Sequence, residues 1–343
     1  MSPDSPPSPA ALLQVITDYP RAQVVHVAAQ LNLADLLADG PRHVEDLAAA
    51  TSVHAPSLAR LVRALAALGV VAEEADGRVS LTPLGTPLRT DVPGSIRDYV
   101  RFRAGEWYWR SWGDLLHSVR SGQPAFEHQF GMQVFEYWGQ HPEAGAIHHA
   151  FFTAMARLTT APLVAAYDYA RFDTIVDVGG NVGPLLAAIL QAHPGVRGIL
   201  FDLPYVVADA ASVLSEAGVA DRCKVVGGNF FESVPTGGDA YILKYIIHDW
   251  DDERAMAILT QCRKAMGPGA TLLIIEQVLP ERLEAGDVAW QSARLDLQML
   301  VLTSGGRERT EPEFRQLLAD AGFELRRVFP TQSPFSILEA EPR

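Results

Sequence analysis

Cysteine is nearly absent from this sequence: among 343 residues there are two, Cys223 and Cys262. Neither stands in a Cys-x-x-Cys pair or beside histidines at metal-ligand spacing, so a structural zinc site and a disulfide framework are both excluded. No bound metal is expected, and the protein is expected to be cytoplasmic with reduced thiols. No apolar run approaches the roughly 18 residues that a membrane-spanning helix needs, so no membrane span is expected. The first ten residues, MSPDSPPSPA, carry four prolines and no basic cluster ahead of an apolar core. Residues 1–10 therefore read as a disordered tail and not as a secretory leader. Positive charge is in deficit, with a formal net charge of −13. Such a balance repels a polyanion and makes nucleic acid a poor partner. No internal repeat stands out.

What is present is the composition of a globular chain, 48% hydrophobic and 20% charged. At roughly 150 residues per domain the length points to two cores. Residues 11–92 read as helices followed by a small hairpin. Leu31, Leu33, Leu36 and Leu37 make one apolar face, with Asn32 and Asp35 opposite. Pro56 suits the first turn of a helix that Gly69 ends, and Asp76-Gly77 suits a hairpin turn. This is a winged-helix pattern. Residues 93–170 are helical and rich in rings, among them Trp107, Tyr108, Trp109, Trp112, Phe126, Phe130, Tyr137, Phe151 and Phe152. Such a stretch suits either a wall for a flat ligand or ordinary packing.

In residues 171–343 short apolar strands alternate with helices: TIVDVGG, GILFDLP, CKVVGGNFF, AYILKYI and TLLIIEQVL. That alternation predicts an α/β domain with a parallel-rich, Rossmann-like sheet, and ligands in such sheets bind at the carboxyl ends of the strands. Asp177-Val178-Gly179-Gly180-Asn181-Val182-Gly183 falls where the first strand turns into a helix. Glycines let the backbone approach a ligand there, and the helix N-terminus favours an anionic group. Asp202 ends the next strand, 23 residues after Gly179, where a carboxylate accepts hydrogen bonds from ribose hydroxyls. A nucleoside is the implied ligand, although the order G-G-N-V-G differs from the G-x-G-x-x-G of dehydrogenases.

His248 follows the strand that begins at Ala240, on the same edge, and is the candidate general base. A free imidazole titrates near 6.5, so a carboxylate on the far ring nitrogen would make it a stronger base by stabilising the imidazolium. Asp249 is read either as a further aid or as a cap on the following helix.

The chain resembles the S-adenosylmethionine-dependent small-molecule O-methyltransferases, both the plant caffeate and flavonoid type and the bacterial enzymes that tailor antibiotics. The resemblance rests on the glycine turn with Gly227-Gly228-Asn229-Phe230-Phe231, Leu243-Lys244-Tyr245-Ile246-Ile247-His248-Asp249-Trp250, Ile275-Glu276 and Gly305-Gly306-Arg307-Glu308-Arg309-Thr310, and it covers nearly the whole chain. It implies that S-adenosylmethionine is held by Gly179 at its methionine part, Asp202 at the ribose, Asn229 and Phe230 at the adenine, and Lys244 along the wall. It implies the catalytic set His248, Glu276 and Glu308, and an acceptor pocket with Phe151, Met155, Asp296, Met299 and Thr303. The acceptor is expected to be a small aromatic or polyketide-like metabolite methylated on a hydroxyl, and the winged-helix segment to build a homodimer. Two departures stand out: most relatives have Asp where Asn229 stands and Gly where Asn181 stands.

Two other readings compete. One keeps the fold and cofactor but replaces methyl transfer by hydroxylation, decarboxylation or rearrangement, as in some relatives. The other makes the winged helix a DNA-binding module. The helix Pro56 to Leu68 offers only Arg60 and Arg63 as basic residues, which is thin for phosphate contact.

Overall fold

In the computed structural model residues 9–343 are described. Most of the expected tail, residues 1–8, lies outside the described residues. Its last two residues open helix α1 (Pro9–Thr17). Two compact units are distinguished: the described part of Met1–Trp109 with His141–Met155, and Arg110–Gln140 with Ala156–Arg343.

The first unit continues with α2 (Tyr19–Gln30), α3 (Leu33–Leu36), α4 (Val44–Thr51), α5 (Ala55–Ala67), β1 (Val71–Glu73), β2 (Val79–Leu81) and α6 (Arg97–Arg103). The apolar face around Leu31–Leu37 is split between two helices. Asn32 separates α2 from α3 with a φ of 53°, a left-handed conformation that its short polar side chain tolerates. Leu33 and Leu37 are buried, and Leu31 and Leu36 only partly. Helix α5 starts with Pro56 in its first turn and buries Leu58, Val62 and Leu65, a spacing that keeps all three on one face. Gly69, with φ of 75°, ends it, and Gly77 (φ 81°) turns the antiparallel pair in which Val71 faces Leu81 and Glu73 faces Val79. Leu12, Leu13, Val15 and Ile16 of α1, and Tyr19 beyond it, are exposed.

Helices α7 (Glu106–Gly113), α8 (Leu115–Ser121), α9 (Ala125–Phe130), α10 (Val134–Gln140) and α11 (Pro142–Ala166) carry the ring-rich stretch. Within the first unit Phe151 stacks on Phe102 at 4.3 Å, and within the second Phe126 stacks on Phe130 at 4.7 Å. Among the described residues no helix is long and apolar enough to cross a membrane.

The second unit then runs β3 (Thr174–Val178), α12 (Pro184–Ala192), β4 (Arg197–Asp202), α13 (Ala210–Glu216), β5 (Cys223–Gly227), β6 (Ala240–Lys244), α14 (Asp252–Ala265), β7 (Thr271–Glu276), β8 (Val278–Leu279), α15 (Asp287–Leu302), β9 (Arg309–Thr310), α16 (Glu311–Asp320), β10 (Phe323–Pro330) and β11 (Ser336–Pro342). The main sheet has the order β10-β11-β7-β6-β3-β4-β5. From β7 to β5 it is parallel, and β11 joins β7 antiparallel. Strand order reverses between β3 and β6, the place where open sheets of this kind bind ligands. All six residues of β7 are buried, as expected of a strand covered on both faces. Asp251 caps α14 by accepting from the Arg254 N–H at 2.8 Å, and Thr310 with Glu313 forms a capping box on α16. The hairpin β10–β11 goes beyond the strands read from sequence. Phe323, Leu325 and Leu338 join the core on one face of the sheet and Ile337 the core on the other, while Arg326 and Arg327 are exposed.

Candidate active site

The corner after β3 is built for close approach. Gly179 has a φ of 73°, and a Cβ there would overlap Ile246 Cδ1. At Gly180 a Cβ would lie 2.6 Å from Asp177 Oδ2. Asn181 takes the left-handed conformation (φ 56°) that a glycine would otherwise supply, and its Oδ1 accepts from the Val182 N–H at 2.8 Å. Asp202 binds this corner to the end of β4. Its Oδ2 accepts from the Asn181 N–H at 2.8 Å and its Oδ1 from the Leu203 N–H at 2.7 Å.

Phe230 borders the glycine corner, with Cε1 3.7 Å from where a Gly179 Cβ would stand. The Asn229 side chain is turned to its own loop: Oδ1 accepts from the Phe231 N–H at 3.0 Å and Nδ2 donates to Glu232 at 3.3 Å. Lys244 ends β6 half-buried, with Nζ 5.3 Å from the centre of the Tyr245 ring. Burial lowers its pKa to about 8 against the pull of Asp177, whose own carboxyl burial pushes up to about 7. A cradle without side chains, a carboxylate at the next strand end, a ring beside it and a half-buried lysine together fit an S-adenosyl group. Among the described residues no cluster of His, Cys, Asp and Glu could hold a metal ion.

His248 lies in a single 3-10 turn, Ile247–Asp249, just beyond β6. Its ring is buried and its Nδ1 is 2.6 Å from Glu308 Oε1. A proton on Nδ1 makes that contact a charge-assisted hydrogen bond and leaves Nε2 as the acceptor. Of the two glutamates considered for the ring, only Glu308 reaches it. Glu276 instead holds the backbone, its Oε1 accepting from the N–H groups of Ile246 at 3.2 Å and His248 at 3.1 Å. Asp249 is not the helix cap, a role that Asp251 takes. Its Oδ1 is 3.5 Å from His248 Nε2.

Burial alone would lower the His248 pKa. The carboxylates of Glu308, Asp249 and Glu276 outweigh it and raise the value to about 10. Burial raises Asp249 to about 6 and Glu276 to about 7, with the His248 charge opposing in both. The ring is thereby a stronger base than a free histidine.

Around the dyad, Asp296 on α15 accepts from the Glu308 N–H at 3.0 Å, which supports Glu308 from behind. Thr303 donates its hydroxyl to the Met299 carbonyl at 2.8 Å, closing the end of α15, and Met299 is buried. Phe151 is buried among rings of the first unit, and Met155 is partly buried in α11. Arg309 is a feature the sequence did not disclose. It is fully buried, yet in R-E-R it looks no different from its half-buried neighbour Arg307.

Comparison with known proteins agrees along the whole length. The O-methyltransferase domain family matches residues 112–324, and the O-methyltransferase dimerisation domain family matches residues 13–91. A phenazine O-methyltransferase of Lysobacter antibioticus is 46% identical over 98% of this chain and 97% of its own. A phenazine-1-carboxylate N-methyltransferase of Pseudomonas aeruginosa is 34% identical, with 92% of each chain covered. An O-methyltransferase from neocarzinostatin biosynthesis, solved with S-adenosylmethionine and 2-hydroxy-5-methyl naphthoic acid, superposes with a TM-score of 0.84 at 34% identity, covering 96% of this chain and 98% of that one. The chain belongs to the family of S-adenosylmethionine-dependent O-methyltransferases, of which a helical dimerisation domain and an α/β catalytic domain are the two parts.

Proposed function

We propose that this enzyme moves the methyl group of S-adenosylmethionine to a phenolic hydroxyl of a small aromatic or polyketide-like metabolite, with His248 as general base. The observation that carries the proposal is the 2.6 Å contact of His248 Nδ1 with Glu308, which leaves Nε2 as the proton acceptor. Bound S-adenosylmethionine supplies a methyl carbon activated by a sulfonium. His248 Nε2 takes the proton of the acceptor hydroxyl, and the Glu308 carboxylate stabilises the imidazolium that results. Glu276 acts through the backbone, keeping the turn of His248 fixed. Gly179, Asp202, Asn229, Phe230 and Lys244 would hold the cofactor, Asn229 through its placement of the loop. Acceptor recognition is assigned to Phe151, Met155, Asp296, Met299 and Thr303. The first unit is assigned to a homodimer. The acidic total and the thin basic surface of α5 speak against DNA as its partner.

The test is incubation with methyl-labelled cofactor and a panel made of a hydroxyphenazine, 2-hydroxy-5-methyl naphthoic acid and phenazine-1-carboxylate. Label on the phenolic oxygen supports the proposal. Label on a ring nitrogen, or tight cofactor binding with no labelled product from any phenol, overturns it.

A further inference from the structure

His248 stands in one 3-10 turn, a conformation with little stability of its own. The turn is held from outside by Arg309, which is 0% exposed. Nη1 of Arg309 donates to the Ile247 carbonyl at 3.1 Å and Nη2 to the Trp250 carbonyl at 3.0 Å, one on each side of the His248-Asp249 dipeptide. Nε and Nη2 also donate to Asp252 Oδ1 at 3.1 and 2.7 Å, at the first turn of α14. The far end is anchored too, since Arg309 lies opposite Val278 in the β8–β9 pair. The residues beside it join the same turn: the Arg307 N–H donates to the His248 carbonyl at 2.8 Å. A Cβ on Gly306 would lie 2.6 Å from the His248 carbonyl oxygen and 2.8 Å from that of Asp249.

We propose that Arg309 is a positioning residue for proton transfer, its guanidinium fork setting the Ile247–Trp250 turn and thereby the direction of the His248 ring and its bond to Glu308. The inference rests on the reading of His248 as the proton acceptor. Arginine suits this place because a rigid plane of donors reaches two carbonyls and a carboxylate at once, whereas a lysine has a single nitrogen. The guanidinium also adds a positive charge to a pocket with three carboxylates. Burial raises the Glu276 pKa, and Arg309 is among the groups that oppose it.

The test compares wild type with Arg309→Lys and Asp252→Asn. Three readings are taken: affinity for S-adenosylhomocysteine by calorimetry, kcat and KM with whichever phenol of the panel turns over, and the His248 Nδ1 proton by NMR of histidine-labelled protein. Expected for Arg309→Lys is affinity within about threefold of wild type, kcat lower by about thirtyfold or more, little change in acceptor KM, and a shifted or lost Nδ1 proton. Asp252 is more than half exposed, so Asp252→Asn provides a variant that folds. It is expected to lower kcat by about fivefold and to shift the same proton. A kcat that falls only in step with the folded fraction, or an unmoved Nδ1 proton in both variants, overturns the proposal. If wild type methylates no phenol, the functional reading fails, while the NMR comparison still decides the role of Arg309.

Discussion

At the scale of single residues, the two glutamates of the site have separate duties, and substitution should separate them. Glu308 touches the ring and Glu276 the backbone. Replacing His248 by Ala should lower the methylation rate by about two or more powers of ten while cofactor affinity changes little, as calorimetry and steady-state kinetics would show. Glu308→Gln should cost nearly as much. Glu276→Gln, which keeps an acceptor oxygen for both N–H groups, should cost less than about tenfold. The pH dependence has a definite sign. With the His248 pKa raised to about 10, the neutral base becomes more populated as pH rises, so kcat/KM for a phenol should climb between neutrality and pH 10. Removing the Glu308 charge should move that limb to lower pH. The same raised pKa makes a contribution to folding stability that is complete below about 6.5 and is lost as pH rises through 10. Thermal melts of wild type should therefore fall across this range, and those of Glu308→Gln should fall less.

At the scale of elements, the glycine corner was the most legible part of the sequence. Glycine spacing after an apolar run implies a strand-to-helix turn on its own, and Asn181 fits the left-handed position that such a turn needs. The place of His248 just beyond β6 was legible as well, because a strand end next to that corner can be located from the alternation of strands and helices. The division of labour between Glu276 and Glu308 was hidden, since both follow apolar or glycine-rich runs and their partners depend on a turn geometry that spacing does not encode. Arg309 was hidden for a related reason: only the fold shows that backbone carbonyls of Ile247, Trp250 and Arg307 and the Asp252 carboxylate surround it. Hairpin β10–β11 escaped because its charged outward residues make a weak apolar signal. A substitution at the corner tests the element itself. Gly179→Ala has to find room beside Ile246 at a φ of 73°, so cofactor affinity should drop by about tenfold or more in calorimetry, with a modest loss of melting temperature.

At the scale of the whole molecule, composition already limited the possibilities. Few cysteines, a negative total and the absence of long apolar runs set a disulfide framework, nucleic acid and a membrane-spanning helix aside, and the motifs supplied the rest. The exposed apolar residues of α1 bear on the assembly. Leu12, Leu13, Val15 and Ile16 would stay in water in a lone chain, an arrangement a globular surface seldom keeps on one helix. Light scattering should give twice the 37.3 kDa chain mass, and deletion of residues 1–18 should shift the population toward monomer.

The place of β11 has its own consequence for how the protein is made. Residues Ser336–Pro342 come late in the sequence, yet they pair on one side with β10 and on the other with β7, the strand that delivers Glu276. Until those residues leave the ribosome, the outer edge of β7 has no partner in the main sheet and is open to pairing with another nascent chain. A variant truncated before Ser336 would lack a sheet-internal strand, so it should accumulate in inclusion bodies despite an intact cofactor corner. Closure of the sheet thus waits on the synthesis of β11.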